Sequence, residues 1–120
     1  MPILIVDDDL AIRDVLTELL EDEGYRAVAV SDGMKALDYL WQCQERPCLI
    51  LLDLMMSILN GWEFRDRQMK DPAIATIPVT IISAAVDDQQ GVALLGVDHY
   101  LSKPLDLTAL LATVQRYCAD

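Results

Sequence analysis

Ile3-Leu4-Ile5-Val6-Asp7-Asp8-Asp9-Leu10 is the stretch on which the fold turns. Ile3 to Val6 is an unbroken apolar run with no polar alternation, so it must be buried on both faces, as a strand is inside a parallel sheet covered by helices. The run stops in carboxylates, and beyond them the period changes. Ile12, Val15, Leu16, Leu19 and Leu20 recur at three and four residues, so Leu10 to about Glu23 reads as an amphipathic helix stopped at Gly24. Asp9 is placed to cap that helix, because an acid there satisfies open N–H groups.

The same unit recurs along the chain. Further strand-like runs lie at Ala27–Val30, Leu49–Leu52, Val79–Ile82 and Val97–Leu101. Ser31 or Asp32 caps a second helix with Met34, Leu37, Leu40 and Trp41 on its inner face. Residues 60–69 and 87–95 read as a third and a fourth, with Asn60-Gly61 as the turn that starts the third. Leu107, Leu110, Leu111, Val114 and Cys118 form the stripe of a last helix. Pro47, Pro72, Pro78 and Pro104 all fall at element edges, where a missing N–H does least harm. Five such units without a linker or repeat predict an α/β fold in one domain, 1–120, built on an open doubly wound parallel sheet with right-handed crossovers.

Composition narrows the partners. Hydrophobic residues make up 53% of the 120-residue chain, enough for a packed core. Twenty Asp+Glu against nine Lys+Arg give a net charge of −11, which argues against direct contact with nucleic acid or an anionic membrane surface. No apolar run approaches the roughly 18 residues of a membrane span. Met1 to Val6 lacks the basic flank of a signal peptide. Cys43, Cys48 and Cys118 are an odd number with no CxxC pair, so the expectation is free buried thiols in a reducing, cytoplasmic setting, without a metal or redox role.

In a doubly wound sheet ligands sit at the carboxyl ends of the strands. Strand one ends in Asp7-Asp8-Asp9, strand three in Asp53, strand four in Ser83-Ala84, and strand five is followed closely by Lys103-Pro104. Asp7, Asp8 and Asp53 on one rim would repel one another unless a cation sat among them, and an all-oxygen donor set favours a hard ion such as Mg²⁺. Carboxylates, a hard cation, a Lys and a hydroxyl together suit phosphoryl transfer, where charge on the equatorial oxygens must be neutralised and one carboxylate can serve as nucleophile.

At this point the chain resembles the receiver domain of two-component response regulators. The resemblance rests on Ile3 to Asp8, Leu51-Leu52-Asp53-Leu54-Met55-Met56, Asn60-Gly61, Ile82-Ser83-Ala84 and Asp98-His99-Tyr100-Leu101-Ser102-Lys103-Pro104, in order and at fitting intervals. It implies the flavodoxin-like receiver fold, with strand order 2-1-3-4-5 and helices on both faces. It implies that Asp53 accepts a phosphoryl group from a phosphohistidine on a sensor histidine kinase or histidine phosphotransfer protein. By the same resemblance Asp8 would ligate Mg²⁺ directly and Asp7 through water, with Asp53 and the Met55 backbone carbonyl completing the set. Lys103 would pair with the phosphoryl group, Ser83 would bond it, and Tyr100 would be the switch aromatic. The Lys103-Pro104 peptide would be cis. The output would be a changed surface of the fourth helix, fifth strand and fifth helix, open to an effector domain or protein or to a phosphorylation-dependent dimer. Such a domain is a signalling phosphoacceptor rather than an enzyme. One departure stands out: Ser57 occupies a loop position where the family commonly has Pro.

Other functions fit less well. A haloacid-dehalogenase-type phosphatase would use Asp7 as nucleophile, but Asp7-Asp8-Asp9-Leu10-Ala11 fails the last position of that pattern. A flavodoxin-like cofactor binder would need a hydroxyl- and Gly-rich loop where this chain has three carboxylates. A phosphorylation-independent pseudo-receiver shares the fold and differs only in lacking the chemistry.

Overall fold

The computed structural model describes residues 1–83 and 99–118. Its elements in chain order are β1 (Ile3–Val6), α1 (Leu10–Asp22), β2 (Ala27–Val30), α2 (Gly33–Gln42), β3 (Leu49–Leu52), α3 (Gly61–Met69), β4 (Val79–Ser83), β5 (His99–Ser102) and α4 (Leu107–Cys118). The helix expected over 87–95, with Ala84 and residues 97–98, lies outside the described residues. The sheet is parallel throughout in the order β2-β1-β3-β4-β5. That is the doubly wound, flavodoxin-like architecture expected.

Burial follows strand position. Each residue of β1, β3 and β4 is buried, whereas β2 at the sheet edge is largely half-exposed. Side chains alternate between two apolar clusters, as strand geometry requires. Leu4, Val6, Ile50 and Leu52 face α2 and α3 through Leu37, Leu40 and Phe64. Ile3, Ile5, Leu49 and Leu51 face α1 and α4 through Leu16, Leu20, Leu110 and Val114. Each such side chain contributes about 1.5–3 kcal/mol on leaving water, which is why the central strands are fixed in register and cannot slip by one residue.

Helix ends carry their own chemistry. The Asp9 side chain accepts from the Ala11 and Ile12 N–H groups, and Asp32, rather than Ser31, caps α2 by accepting from Lys35 N–H. Asn60 and Glu63 form a reciprocal capping box at the start of α3. At the other end of α1, Gly24 has φ +91°, and Gly24 and Tyr25 N–H groups donate to Glu21 and Leu20 carbonyls. This is the pair of bonds of a Schellman stop, and it needs a residue tolerant of that φ.

The structure corrects three expectations. Trp41 does not face the core: it is 55% exposed, and its indole N–H donates to Asp71 Oδ2 at 3.0 Å. The core-facing stripe of α2 is Ala36, Leu37 and Leu40, with Met34 packed against the same core as expected. Val15 and Leu107 also stay largely exposed. Third, the cysteines are not all free. Cys48 and Cys118 form a disulfide with Cα atoms 5.5 Å apart, leaving Cys43 as the free thiol. The pairing spans 70 positions of sequence and arises only because α4 ends against the start of β3.

Candidate functional site

Adjacent strands β1 and β3 deliver their acids side by side. Val6 pairs with Leu52, so the residues that follow, Asp7 and Asp53, leave the sheet together. Backbone bonds from Asp53 N–H to Val6 O at 2.9 Å and from Asp7 N–H to Val30 O at 3.2 Å hold both at the rim. Ligand oxygens of Asp7, Asp8 and Asp53 all lie within 4.8 Å of one another. Asp7 and Asp53 are buried and Asp8 is exposed.

Lys103 reaches this cluster from beyond β5. Its ammonium lies 3.0 Å from Asp7 Oδ2 and 3.5 Å from Asp53 Oδ2. Lys103 N–H donates to Ser83 O at 3.0 Å, which fixes the Lys103 backbone to the end of β4. The Lys103-Pro104 peptide is cis, as the resemblance implied. Ser83 is buried at the end of β4, two positions past Ile81, which pairs with Leu52. The Met55 N–H donates to Asp53 Oδ1 at 3.3 Å, so the Met55 backbone, whose carbonyl the resemblance offers as a metal ligand, borders Asp53. Tyr100 is half-buried beside Ile81 and packs on the cluster that faces α2 and α3.

The electrostatics follow from crowding. Burial, then the Asp7 charge, pushes the Asp53 carboxyl up to about 6, with Asp8 adding to the rise; Lys103 and the Met55 N–H pull the other way without offsetting it. Burial alone would lower Lys103, but its hydrogen bond to Asp7 and the charges of Asp53 and Asp7 leave it above the ordinary lysine value. Asp7 has both oxygens engaged, Oδ1 by the Asp9 N–H at 2.9 Å and Oδ2 by Lys103. The contacts of Asp53 are longer, so Asp53 is the less restrained of the two buried acids.

Two supporting groups carry no such role in the sequence. Arg13 donates from its guanidinium to Asp7 O at 2.8 Å, but its spacing alone looks like a solvated helix charge. Gly61 stands in the sequence as turn chemistry and as part of the receiver resemblance, with no contact to the acid implied. A Cβ there would meet Asp53 O at 2.5 Å and Leu54 Cα at 2.7 Å, so the glycine permits α3 to start against the acid-bearing loop. Beside Lys103, an open apolar groove of about 400 Å³ runs between α1 and the start of α4, lined by Ile12, Val15, Pro104 and Leu107 among others.

A doubly wound parallel sheet whose carboxyl edge carries an acidic trio and one inward lysine defines a class of phosphoryl-accepting signalling domains. The chain belongs to the response regulator receiver domain family, whose model matches residues 3–115. The function of that family is a phosphorylation-activated switch in two-component signalling. Among relatives, the chain is 36% identical to an uncharacterised 14.6 kDa protein of Leptolyngbya boryana, covering 98% of this chain and 90% of that one. It is 38% identical to the DNA-binding dual master transcriptional regulator RpaA of Synechocystis, covering 94% of this chain but only 47% of RpaA. Against solved structures, a response regulator receiver protein from Pseudomonas putida superposes with TM-score 0.88 at 30% identity, covering 96% of each chain. The receiver domain of the Pseudomonas aeruginosa sensor histidine kinase PA1611, solved with a magnesium ion in its active-site cleft, gives TM-score 0.86 at 25% identity over 99% of this chain and 98% of that one. No helix among the described residues is long and apolar enough to cross a membrane.

Proposed function

We propose that Asp53 is the phosphoacceptor of a single receiver unit over residues 1–120, taking its phosphoryl group from a phosphohistidine on a sensor kinase or phosphotransfer protein. The observation that carries this reading is the lysine-bridged pair of buried acids, with Asp53 the looser partner and Asp7 engaged at both oxygens. An Asp53 carboxylate oxygen attacks phosphorus in line, the P–N bond breaks, and the departing imidazole nitrogen takes up a proton. With its pKa near 6, Asp53 is mostly ionised at neutral pH and available as nucleophile.

The donor set fits Mg²⁺. Three carboxylates converge within 4.8 Å, and among the described residues only Lys103 forms an ion pair with them, leaving an excess of negative charge. Asp7, Asp8, Asp53 and the Met55 carbonyl would hold the ion, as hard oxygen ligands do. When bound it supplies charge neutralisation for the phosphoryl oxygens. Lys103 holds a second oxygen and the Ser83 hydroxyl a third. Tyr100, on the strand that pairs with the Ser83 strand, then repacks to alter the surface of β5, α4 and the segment between β4 and β5. That surface is where an effector domain, an effector protein or a second copy would read the change. The protein acts as a cytoplasmic phosphoacceptor that assists only its own phosphorylation and dephosphorylation.

The test is labelling with acetyl phosphate or a phosphorylated kinase, followed by peptide mapping. Phosphorylation of Asp53 that needs Mg²⁺ and vanishes in Asp53→Asn is the expected result. An acyl phosphate on Asp7 would instead indicate the phosphatase reading, and no label at all the pseudo-receiver.

A further inference from the structure

We propose that Cys48 and Cys118 form a reversible redox staple that locks the end of α4 onto the sheet and gives the domain a second input, separate from phosphorylation. Cys48 immediately precedes β3 and Asp53 immediately follows it, so the two chemistries sit at opposite ends of one strand. Over five residues of extended chain that separation is about 16 Å. Cys118 is the last residue of α4, the helix that follows Lys103-Pro104. The bond therefore ties the far end of that helix to the most buried part of the sheet.

Two features make the bond one that can open. First, Cys48, though only 7% exposed, lines an open depression of about 270 Å³ with Arg46, Pro47, Ile77, Pro78 and Tyr117, so this end of the bond borders space open to solvent. At the other end of the bond Cys118 is half-exposed, which leaves its sulfur open to an attacking thiolate. Second, the reduced state has a home: Cys48 Sγ lies 3.5 Å from Pro2 O and 3.6 Å from Met1 O, carbonyls placed to accept a thiol proton. Cys43 does not compete, since it ends α2 with its sulfur 3.4 Å from Leu40 O.

The chemistry is thiol–disulfide exchange with a low-molecular-weight disulfide such as oxidised glutathione. One cysteine loses its proton and attacks that disulfide, forming a mixed disulfide and releasing one glutathione thiolate. The second cysteine thiolate displaces the other glutathione and closes the ring. Two protein thiols are oxidised, two glutathione thiols are produced, and the two protons pass to them.

The experiment equilibrates the full chain in glutathione buffers from fully reduced to fully oxidised, traps free thiols with an alkylating agent and maps peptides. Expected is a Cys48–Cys118 link that forms and reopens with the buffer while Cys43 is alkylated throughout. Opening it should lower the Tm by on the order of 10 °C, because the closed ring spans a long loop of the unfolded chain. Amide exchange near the end of α4 should speed up at least tenfold, and Cys118→Ser should resemble the reduced protein under both conditions. Asp53→Asn should retain the redox response, which separates this proposal from the phosphoacceptor assignment. Failure of the link to form, a link through Cys43, or a link that leaves α4 exchange unchanged would each overturn it.

Discussion

Lys103 Nζ lies 3.0 Å from Asp7 Oδ2 and 3.5 Å from Asp53 Oδ2, so one ammonium bridges two buried acids and is held more closely by Asp7. Asp7 thus positions Lys103, and Lys103 in turn lies beside Asp53, the proposed phosphoacceptor. Lys103→Met should slow phosphorylation of Asp53 by about 100-fold, the usual effect of removing one preorganised donor to a developing charge. Without Mg²⁺ it should also destabilise the fold by roughly 1–3 kcal/mol, because Asp7 loses a charged partner while buried. Acetyl phosphate labelling rates and urea melts with and without Mg²⁺ check both parts.

Stability should depend on pH through Asp53. Its pKa rises from 3.8 to about 6 in the fold. Between those values the folded chain keeps a proton that the unfolded chain has released. The stability this confers is present in full below the unfolded value and is lost as pH rises through about 6. Metal-free protein should therefore lose stability across that window, and Asp53→Asn should flatten the slope and be the more stable of the two at pH 7. Mg²⁺ favours the ionised carboxylate, so it should raise the Tm at pH 8 and do little at pH 4. Urea melts across a pH series, with carboxyl NMR of Asp53, measure this.

Gly61→Ala should damage the site from outside the acidic cluster. The added Cβ would fall 2.5 Å from Asp53 O and 2.7 Å from Leu54 Cα, both backbone atoms that cannot swing aside. The Asp53 loop must shift, at about 1–3 kcal/mol by the usual cost of overpacking. Because the shift moves Asp53, the proposed phosphoacceptor, the labelling rate should fall further than the lost stability alone explains. A variant with wild-type labelling kinetics would show that the close approach is not needed.

Much of this architecture was legible because it rests on local pattern. The apolar runs of β1, β3 and β4 are continuous because both faces are covered, and Asp53 at the end of such a run already signalled a paired charge. What stayed hidden depends on chain segments far apart. Trp41 carries the right spacing for the inner face of α2, but its indole finds Asp71, thirty positions on, and stays outside. The Cys48–Cys118 pair could not be told from free thiols until α4 was seen to end at the start of β3. Arg13 and Gly61 owe their roles to the Asp7 carbonyl and the Asp53 carbonyl, contacts that periodicity does not encode.

β4 contains a polar group whose removal should help. Thr80 is fully buried, and among the described residues its hydroxyl has no hydrogen-bond partner. An unmet buried hydroxyl costs about 1–3 kcal/mol. Thr80→Val keeps the branched shape and the strand preference while removing that group, so stability should rise by roughly 1 kcal/mol. Equilibrium denaturation reads this directly, and a loss of stability would mean that the hydroxyl is satisfied in solution.

The loop after Asp53 stores strain at the position following the unusual Ser57. Ile58 has φ +67°, and Leu59 N–H donates to Ser57 O at 2.8 Å across it, the i to i+2 bond of a γ-turn with positive φ at its centre. A β-branched residue pays heavily for that conformation, on the order of 1–2 kcal/mol, and Ile58 is 77% exposed, so packing returns little. The turn persists because its neighbour is pinned: Leu59 is buried in the core, and its carbonyl accepts from Gly33 N–H at 3.0 Å. Gly33 has no room for a side chain, since a Cβ would sit 2.6 Å from that same carbonyl. Ile58→Gly relieves the strain but adds freedom to the unfolded chain, worth about 0.5–1 kcal/mol in the opposite sense. The net expectation is a gain of about 0.5–1 kcal/mol, with Ile58→Asn between the two, while Gly33→Ala, which unpins Leu59, should destabilise. Melting curves of the three variants set this order, and a destabilised Ile58→Gly would show that the exposed isoleucine contributes something the strain does not outweigh.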